Sequence, residues 1–257
     1  MASEFKQSLL SADDPPPVRV FNRGGASLFL LLGDHAGHVV PERLGVLGLA
    51  DEDLRRHIAL DIGVAALGKA LAGRLDAPFV EQVYSRLVVD CNRSKGTLDS
   101  IAAISDGTVV PGNVALRPAE TDQRYAEIFD PYHLEIERTI DERASQGRSP
   151  ILVSLHSFTP AMGGQHRAWD IGVLYDGGTT RFARTVLGAL RHAGHWHIGD
   201  NEPYRMDDTD FTIPRHAYVA GLAYIELEIR QDRLATADDI AVMADHLVWA
   251  LMAGVKA

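Results

Sequence analysis

A single cysteine, Cys91, in 257 residues excludes an intramolecular disulfide and any cysteine-rich zinc site. No apolar run approaches the ~20 residues that a membrane-spanning helix needs, and Met1 to Asp14 lacks the apolar core of a signal peptide. Positive charge is also scarce. The 25 Lys and Arg stand against 35 Asp and Glu, a formal charge of -10, which makes a nucleic-acid backbone or an anionic membrane a poor partner. There is no internal repeat. These absences lead us to expect a soluble protein of the reducing cytoplasm, and they leave self-association into a homo-oligomer open.

What the chain does have is material for a core. Its 46% hydrophobic content over this length suits one large α/β domain spanning residues 1–257, entered through an extended lead-in of about residues 1–17 that ends in Pro15-Pro16-Pro17. Ser27 to Leu32 reads as a buried strand that stops at Gly33-Asp34-His35-Ala36-Gly37-His38. In open α/β sheets ligands gather just beyond such strand ends. The run Ile151 to Leu155 repeats the construction and delivers His156. Two buried strands that each carry a histidine to the same edge favour a metal site, because neighbouring strands bring distant positions within ligand reach.

Between these strands, Leu54, Ile58, Ile62, Ala65 and Leu71 recur at helical spacing, so a helix of five to six turns from about Ala50, or a shorter one after a loop, is expected. His57 and Asp61 stand four apart on it. Leu87 to Asp90 reads as a short strand ending in Asp90-Cys91-Asn92-Arg93, where two arginines, Arg86 and Arg93, suggest an anion site. Ser94 to Glu120 is a long Gly/Ser/Thr/Pro-rich loop of the kind that forms lids. Near the end, Tyr224, Glu226 and Glu228 alternate with Ile225, Leu227 and Ile229 on a strand. A carboxylate there suits the general base of metal-assisted hydrolysis, against the alternative of an edge strand with a wet face.

Taken together, Asp34-His35-Ala36-Gly37 with Pro41, His57 to Gly63, Tyr84-Ser85-Arg86, Asp90 to Arg93, Pro131-Tyr132-His133, His156-Ser157-Phe158, Asp200 to Tyr204 and Glu226-Leu227-Glu228 resemble the N-formylglutamate amidohydrolases. These are relatives of the zinc carboxypeptidases and of the aspartoacylase and succinylglutamate desuccinylase group. The resemblance covers about Leu31 to Arg230. It implies a three-layer, phosphorylase/hydrolase-like α/β fold, with a mixed, mostly parallel sheet flanked by helices, and one divalent ion, usually Zn2+. It also implies His35 and His156 as metal ligands. The carboxypeptidase pattern places a carboxylate three residues after the first histidine, and here that position is His38; the formylglutamate branch offers Asp61 instead, with His38 as the rival third ligand. By the same resemblance Glu228 is the general base and Arg86 steadies the oxyanion, while Asn92 and Arg93 hold the substrate carboxylate, with Tyr84, Asn201 and Glu226 as further substrate contacts. The implied substrate is N-formylglutamate. Another N-acyl acidic amino acid, or a metal-free binding protein for acidic ligands, are the alternatives.

Overall fold

The computed structural model describes residues 8–256, so the first seven positions of the expected lead-in lie outside the described residues. Seven strands build the central sheet: β1 (Val18–Phe21), β2 (Phe29–Gly33), β3 (Phe79–Gln82), β4 (Ile151–Phe158), β5 (Ile171–Leu174), β6 (Ile198–Asp200) and β7 (Tyr224–Arg230). Their order is β1-β3-β2-β4-β7-β5-β6. The four neighbours β3, β2, β4 and β7 run parallel, as do β5 and β6, while β1 is antiparallel to β3 and β5 to β7. This is the mixed, mostly parallel sheet expected.

Five α-helices flank it: α1 (Val64–Leu75), α2 (Pro118–Arg124), α3 (Asp130–Ser145), α4 (Arg181–Ala193) and α5 (Ala237–Lys256). The register places Phe29 and Leu31 on one face with Phe79, Val153 and Ile225. Phe29 meets Phe182 of α4, and the Phe79 ring fills the space where a side chain at Gly68 of α1 would stand, so α1, α4 and α5 cover that face. The opposite face carries Ser154, His156, Glu226 and Glu228, paired Glu226 with Ser154 and Glu228 with His156, and α3 lies on that side over β1 and β3. All seven residues of β7 are buried, so the wet edge strand is excluded: β7 is an interior strand, and its two glutamates face the site layer.

One local expectation is settled and another overturned. Of the two forms expected after Ala50 the structure has the shorter helix after a loop: α1 begins only at Val64, since Gly63 takes a left-handed φ of 87° and a side chain there would strike Leu234. Asp61 therefore sits in a loop, and His57 pairs with Asp106 rather than with Asp61. Leu87 to Asp90 is no strand. Its apolar side chains are buried, but the chain turns, and its carbonyls accept from side chains instead of a ladder: Asn113 Nδ2 donates to Leu87 O at 2.8 Å and the buried Arg124 donates to Val88 O at 3.0 Å. The closing helix α5 starts at a capping box. Thr236 Oγ1 accepts from the Asp239 amide, and the Asp239 carboxylate accepts in return from the Thr236 amide.

A buried histidine pair ties α3 to the segment after β6. His133 Nε2 donates to Cys91 O at 3.0 Å, which leaves its Nδ1 bare to accept from His216 Nε2 at 2.9 Å. Burial first, then its neighbours, holds His133 at about 4 and His216 at about 3, both below the unfolded value near 6.5. As pH falls below about 6.5 the unfolded chain takes up protons that the folded pair refuses, so stability present at pH 7 is lost on acidification. At pH 5 the loss is about 2 kcal/mol per histidine as an upper limit. Urea midpoints at pH 7.5 and pH 5 are expected to diverge less for the His133→Gln/His216→Gln double variant than for the parent; an equal divergence rules the pair out as the cause.

Candidate active site

The site grows from the carboxyl ends of β2 and β4. His35 follows β2, His156 lies within β4, and Asp61 arrives from the loop before α1, held there because its amide donates to His35 O at 2.9 Å. Nδ1 of both imidazoles faces the Asp61 carboxylate, at 3.0 Å for His156 and 3.5 Å for His35. Among the described residues these three form the one group whose ligand atoms all lie within 4.8 Å of one another, and all three are buried.

Behind each imidazole stands another carboxylate. His35 Nε2 meets Asp90 Oδ1 at 2.7 Å and His156 Nε2 lies 3.3 Å from Asp34 Oδ2. Hydrogen bonding of each outer nitrogen to an acid turns the inner nitrogen toward the shared centre, the usual support of metal-ligating histidines. His35 Nδ1 is buried with no hydrogen-bond partner. An orphaned, inward lone pair beside a second imidazole and a carboxylate fits a divalent cation of the zinc type, for which N and O donors are ordinary ligands. His156, by contrast, is pushed well above its ordinary value: burial opposes its charge, but Asp34 and Asp61 outweigh it. Its proton stands where a cation would supply the same positive charge.

The carboxylates are tuned in two directions. Burial works against ionisation of Asp34, yet His156 and His35 bring it down to about 2; Asp61 and Asp90 are lowered against the same penalty, Asp61 by His35 and His156 and Asp90 chiefly by Arg86. Glu228 and Glu226 go the other way. Burial first lifts Glu228 to about 7 and Glu226 to about 8, and each keeps a buried Oε2 with no hydrogen-bond partner. Gly172 faces Glu228 across β5, where a side chain would collide with Glu202 O.

His35, Asp61, Asp90, His156, Glu226 and Glu228 line a cavity of about 490 Å³ together with Arg86, Asn92, Arg93, Tyr204 and Arg205. Arg86 grips Asp90 through Nη2 at 2.7 Å and Nε at 3.1 Å and reaches Asp61 at 3.3 Å. Asn92 is committed elsewhere. Its Oδ1 accepts from the amides of Phe211 and Thr212, and its Nδ2 donates to Asp210, so it fastens the loop after β6. Arg93 lines the cavity but pairs with Asp99 at 2.9 Å.

Three residues expected at the site lie outside it. His38 is exposed and apart from the metal-type group, because the chain turns away at Gly37, whose missing side chain lets it pass against Val83 O. Tyr84 is fully buried and donates to Pro15 O at 2.7 Å, so it ties down the lead-in. Asn201 shapes the turn after β6, with a φ of 52° and its Oδ1 accepting from the Tyr175 amide. Conversely, sequence reasoning missed the supporting parts played by Asp34 and Asp90, and it missed Arg205. The adjacency of Asp34 to His35 was the available signal for the first.

A sequence model described as N-formylglutamate amidohydrolase matches residues 27–235, most of the chain. The chain belongs to the N-formylglutamate amidohydrolase family. It is an amidohydrolase by that membership. A gene product from Agrobacterium tumefaciens of known crystal structure is 31% identical, with a TM-score of 0.93 over 96% of this chain and 98% of that one. The N-formylglutamate amidohydrolase from Ralstonia eutropha JMP134 is 17% identical, with a TM-score of 0.67 over 93% of this chain and 96% of its own, a likeness of fold. No match is found among curated proteins. Among the described residues, no helix of this amidohydrolase is long and apolar enough to cross a membrane.

Proposed function

We propose that this amidohydrolase cleaves the formyl amide of N-formylglutamate to formate and glutamate, with one zinc ion held by His35, Asp61 and His156. The observation that carries the reading is the convergence of two carboxylate-backed imidazoles and a carboxylate on one point, with His35 Nδ1 left unpartnered. When bound, the ion supplies Lewis acidity and lowers the pKa of a coordinated water from ~16 towards ~7.

The chain's own residues account for proton movement and charge. Glu228, next to His156 in register, is the general base: it takes a proton from the water that attacks the formyl carbon, and gives it to the amide nitrogen as the C–N bond breaks. Arg86 has five N–H donors, three of them engaged by Asp61 and Asp90, and the remainder can face the oxygen on which negative charge develops. Glu226, kept protonated by burial until about pH 8, presents an O–H to the substrate. Arg93 adds positive charge to the wall.

Formate release from N-formylglutamate by zinc-loaded protein, measured beside glutamate release from N-acetylglutamate, tests the reading. Faster turnover of the formyl compound supports it; turnover of the acetyl compound alone contradicts it. The carboxylates behind the histidines give a graded check. Asp34→Asn and Asp90→Asn are each expected to weaken zinc binding by about 10- to 100-fold in competition with a chelating dye. Unchanged affinity in both removes their supporting part.

A further inference from the structure

Six side chains able to carry positive charge line the cavity: His35, His57, Arg86, Arg93, His156 and Arg205. Five of them are already matched to acids. His35 meets Asp90 at 2.7 Å, His57 meets Asp106 at 3.3 Å, Arg86 meets Asp90 at 2.7 Å, Arg93 meets Asp99 at 2.9 Å and His156 meets Asp61 at 3.0 Å. Arg205 alone, among the described residues of this wall, has no ion pair or hydrogen bond to its guanidinium.

The backbone that carries it is anchored on both sides. On one side the Tyr204 hydroxyl accepts from Arg167 Nη1 at 2.8 Å, and the Arg167 guanidinium lies 4.8 Å from the Tyr204 ring centre. On the other, Met206 is buried in the core, and beyond it Asn92 holds the Phe211 and Thr212 amides. An exposed guanidinium on a twice-anchored loop at the cavity wall is a preset fork for a carboxylate. Asn92 is largely committed, since its oxygen accepts from the Phe211 and Thr212 amides and one Nδ2 hydrogen goes to Asp210, which leaves a single N–H where Arg205 offers its whole fork.

The proposed hydrolysis puts the reacting formyl group at the buried His35–Asp61–His156 end of the cavity, while Arg205 stands at an exposed part of the same wall. The side-chain carboxylate of a glutamate, two methylene groups beyond the α-carbon, is the substrate charge with the longer reach from the formyl group. We infer that Arg205 selects acidic N-formyl amino acids by pairing with the substrate's side-chain carboxylate at the cavity mouth. The inference rests on the proposed formyl-amide hydrolysis and deepens it.

The test uses zinc-loaded full-length protein and three substrates: N-formylglutamate, N-formylglutamine, which lacks the side-chain charge, and the α-amide of N-formylglutamate. Arg205→Gln is expected to lower kcat/KM for N-formylglutamate and for the α-amide by about 10- to 100-fold, mainly through KM, and to leave N-formylglutamine within about threefold. Arg205→Lys is expected to recover part of the loss. Unchanged turnover of N-formylglutamate overturns the inference. So does an equal loss on N-formylglutamine, which marks an α-carboxylate contact or a general loop effect. Calorimetric binding of N-formylglutamate to Glu228→Gln and to Glu228→Gln/Arg205→Gln reads Arg205 without turnover: a dissociation constant at least tenfold weaker in the double variant supports the inference, and equal constants overturn it. A parent enzyme that turns over none of the three substrates refutes the proposed hydrolysis, and the binding arm still decides the part played by Arg205.

Discussion

Glu228→Gln is expected to lower formate release by about 10²- to 10⁴-fold while leaving one zinc ion bound per chain. The substitution keeps the shape of the side chain and removes only its capacity to accept a proton, and Glu228 is not one of the three groups that converge on the ion site. The same change is expected to stabilise the metal-free protein at alkaline pH. Burial lifts Glu228 to about 7 from an ordinary 4.5, so the folded state holds that proton more tightly than the unfolded state does. Between pH 4.5 and about 7 the parent therefore loses stability as pH rises, and above that window the buried charge costs on the order of 3 kcal/mol at most. Urea unfolding at pH 8 should place the glutamine variant above the parent, with the difference gone by pH 4.5. A variant that is inactive and also less stable at pH 8 indicates a structural part for Glu228 instead. Activity sold against stability in this way is common where a site holds groups out of their preferred state.

Asp61→Asn is expected to have the larger effect on the ion. Asp61 supplies the single carboxylate of the converging group, accepts from His156 Nδ1 and from the Ser157 amide, and pairs with Arg86. Replacing it with an amide removes a ligand and places N–H donors among the donors already there. Zinc affinity should fall by more than the roughly 100-fold expected for loss of a carboxylate behind a histidine. The metal-free fold should also lose up to about 3 kcal/mol, because the buried His156 and the partly exposed Arg86 lose part of their counter-charge. Elemental analysis and thermal unfolding of the purified variant check both outcomes. Retention of a full equivalent of zinc would remove Asp61 from the ligand set, and His38→Ala, on an exposed side chain, is expected to leave zinc binding unchanged.

The central strands were legible in the sequence because β2 and the start of β4, buried on both faces, appear as short apolar runs, while β7 shows a two-residue alternation. The apolar-run signal misled at Leu87 to Asp90. Hydrophobicity reports burial, and burial there comes from a turn whose carbonyls are satisfied by Asn113 and Arg124, residues far along the chain. The choice between a long helix from Ala50 and a shorter one after a loop could not be made from periodicity, since the period of apolar residues runs through Gly63 while the helical backbone does not. At the site, His35 and His156 could be read because strand ends concentrate ligands, and Glu228 because a carboxylate alternating with Ile and Leu is conspicuous. Asp61 was reachable only through resemblance: nothing in a loop aspartate announces that its amide is bonded to His35 O. Tyr84, Asn92 and Asn201 stand close to site residues in sequence, but their side chains are taken up by Pro15, Asp210 and Tyr175. Arg205 was invisible for the opposite reason, since what marks it is the lack of a partner, and that can be seen only once every other cation on the wall has been matched.

The proposed amide hydrolysis depends on one ion at His35, Asp61 and His156. Protein stripped by a chelator and titrated with zinc, with formate release from N-formylglutamate followed at each addition, tests it most directly. Activity absent in the stripped protein, rising linearly and reaching its plateau at one equivalent, is the predicted result. Full formate release from stripped protein, or a plateau that zinc does not move, would contradict it.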